Sequence, residues 1–243
     1  MKKTFSLFLL SFFLIGLTSS PGLSQTAKEI LERIIEAQGG RDVLGNIKDS
    51  TLTGSMEIVN MGISGSITIY QKEPNKMRLD IEVMGATVIQ AFDGNTAWGV
   101  STRTGSVQEM PEKTAKYFRR QALGNDALLH PEKYGIAYVY KGKKKIEDKD
   151  YLELEQTYSD GHTVTIYIDP KTYLTFKTKS ISLNQMGVEV ESETFVSDYR
   201  KVDGLMIAHS MVAHQEGEEY MRMTIEEVSF NSNLEDSLFS MNE

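Results

Sequence analysis

The chain has 243 residues, with 26 basic against 34 acidic side chains for a net charge of −8, and no cysteine. The lack of cysteine excludes a disulfide, a thiol nucleophile, a Cys-based zinc site and a lipid-bearing N-terminal cysteine. The acid excess makes nucleic acid and anionic lipid surfaces poor partners.

Met1-Lys2-Lys3 gives a positive start, residues 5–17 form an uncharged and mainly apolar run, and Gly22-Leu23-Ser24 places small residues where a signal peptidase reads. This is the layout of a secretory signal peptide, so residues 1–24 are expected to be cleaved and residues 25–243 exported to the periplasm. Thirteen helical residues reach about 20 Å, short of the roughly 30 Å hydrocarbon core, which argues against an anchor. Loss of Lys2 and Lys3 leaves 24 basic against 34 acidic residues, a balance of −10. What remains is long enough for one domain with a sizeable core.

A helix opens that domain. Thr26 and Glu29 match a capping box, Ile30, Leu31, Ile34 and Ile35 share one side, and Gly39-Gly40 ends the pattern. A short helical turn over residues 41–44 follows. The period then changes from 3.6 to 2. Leu52, Met56 and Ile58, then Ile63, Ile67 and Ile69, then Met77, Leu79, Ile81 and Val83, each alternate with polar neighbours. Short joins make these antiparallel neighbours. The hairpin around Asp93-Gly94 is apolar on both faces, through Val88, Ile89, Ala91, Phe92, Ala97 and Trp98, and should be covered on both sides. Pro111 starts a second helix with Ala115, Phe118 and Ala122 inward and Lys113, Lys116, Arg119 and Arg120 outward. Residues 136–147, 151–158, 162–169, 173–183, 188–199, 205–215 and 218–230 read as strands, and residues 233–239 as a short terminal helix. The expected architecture is mainly β: a strongly curved antiparallel sheet of about 11 strands forming an incomplete barrel, with helical cover.

Enzyme motifs are absent: no H-E-x-x-H, G-x-S-x-G, S-x-x-K or phosphate loop occurs. His209 and His214 lie five apart on one strand and face opposite ways, so without a bulge between them they cannot both bind one metal. Glu189, Glu191 and Glu193 read as a solvated strand edge, and the lysines at 141 and 143–145 as a solvated hairpin turn. Methionine is abundant, with twelve in the chain, many at strand positions. Its flexible thioether suits a surface that must fit varied apolar ligands, although on composition alone core packing is the readier account.

The segment Gln71-Lys72-Glu73-Pro74-Asn75-Lys76-Met77-Arg78-Leu79, followed by Asp93-Gly94-Asn95-Thr96-Ala97-Trp98, resembles the LolA-type outer-membrane lipoprotein-sorting proteins. There a K-x-P-N strand leads to a D-G-x-T-x-W hairpin. Tyr167-Ile168-Asp169-Pro170-Lys171 and Asp203-Gly204-Leu205-Met206 are similar to a broader branch of the same superfamily. The resemblance implies an unclosed barrel with helices over its concave side and an apolar space that holds the acyl chains of lipoproteins or another lipid. It implies a non-catalytic periplasmic carrier without cofactor or metal, taking cargo from an inner-membrane release complex to an outer-membrane acceptor. Leu79, Ile81, Val88, Phe92, Trp98, Phe118, Met206, Met211 and Met223 are the expected apolar lining. If Trp98 lines it, indole fluorescence should respond to an acyl ligand. LolA proteins commonly carry an arginine before that proline, where it helps hold the lid shut; here the residue is Glu73. Rival readings are an envelope sensor, the non-catalytic partner of a zinc peptidase, and a hydrolase with an unrecognised site.

Overall fold

The computed structural model describes residues 26–100, 105–184 and 186–241, so the expected signal segment lies outside the described residues. Helix α1 (Ala27–Gln38) starts at the expected capping box, where Thr26 and Glu29 exchange hydrogen bonds. Gly39 follows at φ 137°, a conformation open to glycine. Helix α2 (Arg41–Asn46) comes next, and α3 (Glu112–Gln121) and α4 (Asn125–Leu129) sit midway along the chain. The strands are β1 (Asp49–Ile58), β2 (Ile63–Lys72), β3 (Lys76–Val83), β4 (Ala86–Phe92), β5 (Ala97–Val100) and β6 (Val107–Glu109) before α3. After α4 come β7 (Ala137–Ile146), β8 (Lys149–Thr157), β9 (Thr163–Ile168), β10 (Thr175–Leu183), β11 (Glu189–Val202), β12 (Leu205–Gln215) and β13 (Glu218–Phe230).

All thirteen strands form one antiparallel sheet ordered β6-β5-β4-β3-β2-β1-β13-β12-β11-β10-β9-β8-β7. The two meanders join where β1 pairs with β13, and β6 and β7 are unpaired edges, so the sheet is not a closed barrel. At that junction Gly54 allows a close approach: a Cβ there would lie 1.9 Å from the Thr224 carbonyl oxygen. Helix α3 packs on β3, β4 and β5 through Phe118 and Ala115 against Met77, Phe92 and Ala97. Yet Arg120 of the same helix pairs with Asp160, in the turn between β8 and β9. In the sheet order β5 and β9 stand nine strands apart. Laid flat they would be separated by about 43 Å, while a ten-residue helix is about 15 Å long. The sheet is therefore strongly curved.

The register shows which face does this. Met77, Phe92 and Ala97 belong to the same face as Leu52, Met56, Ile67, Ile81 and Val88. Continued through β13, that face carries Met223, Met211, Thr194, Ile166 and Leu154. Helix α1 lays Ile30 and Ile34 on Leu152, Leu154 and Ile168 of this face. Its other apolar residues, Leu31 and Ile35, join Leu44, Ile47, Leu129 and Leu205.

Four local expectations are revised. The strand number is thirteen rather than about eleven, in part because β6 is three residues long and carries no apolar alternation. The lysine run lies within edge strand β7, with a bulge near Gly142, instead of in a turn. Lysines on an unpaired edge oppose edge-to-edge association, which fits that placement. The acidic row belongs to an inner strand: Glu191 pairs with Lys179 at 2.7 Å, Glu193 with Lys177 at 2.8 Å and Glu189 with Lys113 at 3.4 Å. The terminal helix is a single 3-10 turn, Asp236–Leu238.

The doubly apolar hairpin is covered twice. Phe92 and Ala97 lie under α3, while Ala91 and Trp98 pair across β4 and β5 on the opposite face. There the C-terminal segment crosses as a strap. Asp49 accepts hydrogen bonds from the Ser232 and Leu234 amides, Lys72 donates to the Leu234 carbonyl, and Arg78 donates to that of Leu238. The strap ends on Phe239, which is fully buried and whose carbonyl accepts the Trp98 indole N–H at 2.8 Å.

Candidate functional site

Among the spaces left where helices meet the concave face, three share lining residues. One of about 300 Å³ lies between α2 and the β1, β2 and β12 strands, lined by Leu44, Leu52, Met206, Ile207 and Phe230. A second, about 220 Å³, lies under α1 and α4 against Tyr138, Leu154 and Ile166. The third, about 330 Å³, lies beside α3 and is lined by Met211, Met221, Met223 and Tyr220 among others. Gln38 borders the first two, while Arg120 and Tyr158 border the last two. The spaces are thus neighbours along one groove beneath the helices, with volumes near the lower range of small-molecule sites.

Methionine is concentrated there by register. Met211 pairs with Met223, and Met223 with Met56, so three methionines form one rung across β12, β13 and β1. One level away Ala213, Met221 and Ile58 form a second rung. The groove floor at this point is apolar and conformationally adaptable.

Helix α3 is tied over this region at both ends. Arg120 and Asp160 are 2.5 Å apart with 18% and 34% of their side chains exposed, and Lys113 reaches Glu189 at 3.4 Å and the Gly187 carbonyl at 3.3 Å. These contacts are polar and close to solvent, whereas the helix seat on Phe92 and Met77 is apolar. Burial lowers the His162 pKa, with the Arg120 charge adding to it, and burial raises that of Tyr117. Tyr220 is pushed up to about 12, first by burial and then by Tyr117.

The expected lining residues divide into groups. Met206 borders the 300 Å³ space, and Met211 and Met223 the 330 Å³ one. Phe92, Phe118 and Leu79 are packed into the α3 seat. Ile81 and Val88 are cross-strand partners, half-buried on the same face. Trp98 does not belong with them: it is 4% exposed on the opposite face, against Phe239. The hairpin register explains this, since Phe92 opposes Ala97 and the next residue must point the other way. Unanticipated lining residues are Gln38, Leu123, Leu128, Tyr138 and Arg120. Their helical or strand character was readable, but not that distant segments converge.

Glu73 has a definite task. Its carboxylate accepts the Asn125 amide at 2.6 Å and the Asp126 amide at 3.2 Å, capping α4 from a neighbouring turn. Gly124 permits the approach, because a Cβ there would lie 2.2 Å from the Glu73 Oε1. An arginine could not accept these bonds. Burial raises the Glu73 pKa, and Asp126 adds to the rise, against the downward pull of the two amides and Lys48. A raised folded pKa means that stability falls as pH climbs from the ordinary glutamate value through the raised one. Glu73→Gln keeps an acceptor and removes the buried charge, so its melting temperature relative to wild type should rise between pH 4 and pH 7. Glu73→Ala removes the cap and should cost about 1 kcal/mol at pH 4 and less at pH 7, where wild type has itself lost stability. A pH-independent offset for Glu73→Gln would contradict this account.

Among the described residues no group of three or more His, Asp or Glu is gathered for a metal. None of their helices is long and apolar enough to cross a membrane. His209 is buried with its Nδ1 2.9 Å from the Ile207 carbonyl, and the His214 ring lies beside Phe195.

No family model and no curated protein matches the chain. Solved structures do. One is from Vibrio parahaemolyticus and described as an outer membrane lipoprotein-sorting protein domain, with 14% identity, a TM-score of 0.60, and 88% and 97% of the two chains covered. A LolA superfamily protein from Nitrosomonas europaea is 13% identical with a TM-score of 0.60, over 89% and 98%. A DUF1329 family protein from Desulfovibrio piger is 15% identical with a TM-score of 0.59, again over 89% and 98%. At such identities the likeness carries the architecture, and this chain has the LolA-like fold.

Proposed function

We propose that the mature chain is a non-catalytic periplasmic carrier that shelters the acyl chains of lipoproteins, or of another lipid, for transfer towards the outer membrane. The observation that carries the reading is the methionine rung of Met56, Met223 and Met211, set in a groove whose covering helix is tied by ion pairs at its rim. Magnitudes support reversible loading. Each buried methylene contributes about 0.8 kcal/mol, so ten of them outweigh a rim ion pair of about 1 kcal/mol many times over. Expansion of the groove and displacement of packed side chains take back part of that gain, which allows release to an acceptor. Donor and acceptor would be an inner-membrane release complex and an outer-membrane receptor, as for LolA-type proteins.

Protein purified from the periplasm without detergent should carry acylated protein or lipid visible by intact-complex mass spectrometry and organic extraction. A protein that arrives empty and also refuses every added acyl or alkyl amphiphile, charged or neutral in its head, would sink the carrier reading. The ties on α3 give a second expectation. Arg120→Ala should speed acyl loading about fivefold, the equivalent of about 1 kcal/mol, in a stopped-flow assay with a fluorescent fatty acid. Unchanged or slower loading would show that α3 does not gate the groove.

A further inference from the structure

The 330 Å³ space beside α3 is not apolar throughout. On β10 and β11 the concave-face positions at this space include Thr178, Ser180, Ser182, Ser192 and Thr194, with Thr178 paired to Thr194, Ser180 to Ser192 and Ser182 to Val190. The strip has apolar residues on both sides. Val164 and Ile166 of β9 border it on one flank, and on the other Ala213 lies beside Thr194 with Met221 beyond it, while Gln215 lies beside Ser192. A groove built only for hydrocarbon would continue those apolar residues across, as β8 and β9 do with Leu154 and Ile166. Ser192 is 7% exposed, and among the described residues the one hydroxyl of this strip with a side-chain partner is that of Ser182, which accepts from Gln215 Nε2 at 3.4 Å. Hydroxyls so placed are donors and acceptors awaiting a partner, and covering them with a bare alkyl chain would cost their hydration without return.

The same space is also lined by aromatic rings with polar tips: Tyr117 of α3, Tyr158, Tyr220 and His162. Charge decides which head group such a pocket takes. Its one arginine, Arg120, is already neutralised by Asp160. Burial disfavours the imidazolium of His162 and the phenolates of Tyr117 and Tyr220. No net charge is left to attract a carboxylate, a phosphate or an ammonium.

We infer that this space is a subsite for an uncharged polyhydroxyl head, a sugar or comparable polyol, whose attached alkyl chain runs along Met211 and Met223. Hydroxyls of the strip exchange hydrogen bonds with the polyol, and the tyrosine rings cover its less polar face. The inference rests on the carrier reading and narrows it: the ligand is an amphiphile with a neutral head, not a fatty acid.

Dodecyl β-glucoside and dodecanoate share a chain length and differ in the head, and calorimetric titration of the mature protein with each, below micelle-forming concentrations, separates the alternatives. The glucoside should bind at least tenfold tighter. The Ser192→Ala/Thr194→Val double variant should weaken glucoside binding about tenfold and leave dodecanoate within about twofold; Thr178→Val provides a milder second probe of the same strip. Equal affinity for both probes, or glucoside binding that neither variant alters, would overturn the polyol subsite while leaving the carrier reading intact. Failure of both probes to bind would remove the carrier reading and the subsite together.

Discussion

Phe239→Ala should cost the protein about 3–5 kcal/mol, the loss expected for truncating a fully buried aromatic side chain. The strap around it has few other apolar anchors. It is held by Asp49, by Lys72 and by Arg78 donating to the Leu238 carbonyl, and its Asp236 carboxyl sits between Lys72 and Lys76. Those two ammonium groups lower the Asp236 pKa to about 2, Lys72 first, but the carboxylate is exposed and screened. Phe239 is thus the residue that ties the strap to the sheet. The readout is specific because Trp98 is the chain's one tryptophan and its indole N–H is bonded to the Phe239 carbonyl. Denaturant titration should show the lowered midpoint, and native emission should move to longer wavelength as the ring meets water. Acyl ligands, in contrast, should leave wild-type emission unchanged, since Trp98 faces away from the groove. An unaltered midpoint with unaltered emission in the variant would show that the strap does not rest on this face.

What could be read from the sequence follows from the range of the interactions involved. Helix α1 was visible because capping box, apolar stripe and Gly39-Gly40 are all local signals. The meander was visible because each strand alternates and each join is short. Alternation states which residues share a face, however, and not which face is concave. In the β4–β5 hairpin both faces are apolar, so alternation does not separate Trp98 from Phe92. The loop length alone would have separated them, because opposing Phe92 and Ala97 forces Trp98 outward. Arg120 and Asp160, forty residues apart, meet only because the sheet curls, and no local pattern announces that. Glu73 stands in the sequence as a departure from the LolA-type pattern. That its carboxylate caps a helix fifty residues later is a tertiary fact. The hydroxyl strip on β10 and β11 was hidden for the same reason as Trp98: serine and threonine on a strand read as its wet face until the register shows them turned inward.

Met223→Lys should abolish binding of a C12 acyl ligand, with affinity falling at least a hundredfold, while the protein still folds. Met223 is the middle of the Met56–Met223–Met211 rung, so a lysine there places its ammonium amid the groove floor. An empty groove lets that charge be hydrated, because Met223 is only half-buried and borders an open space. The variant is therefore expected to lose little stability when unloaded. A bound alkyl chain would displace that water and leave the ammonium without a partner. Stripping an unpaired charge of water costs several kcal/mol, and even about 3 kcal/mol is more than a hundredfold in affinity. Met223→Leu, similar in volume and still apolar, should bind within a few fold of wild type and serves as the matched control. The contrast separates two roles for the methionines. If they were core filling beneath a closed surface, Met223→Lys would unfold the protein, and a calorimetric melt would reveal that before any binding assay. If they floor a groove that fills and empties, the melt stays near wild type and the affinity collapses.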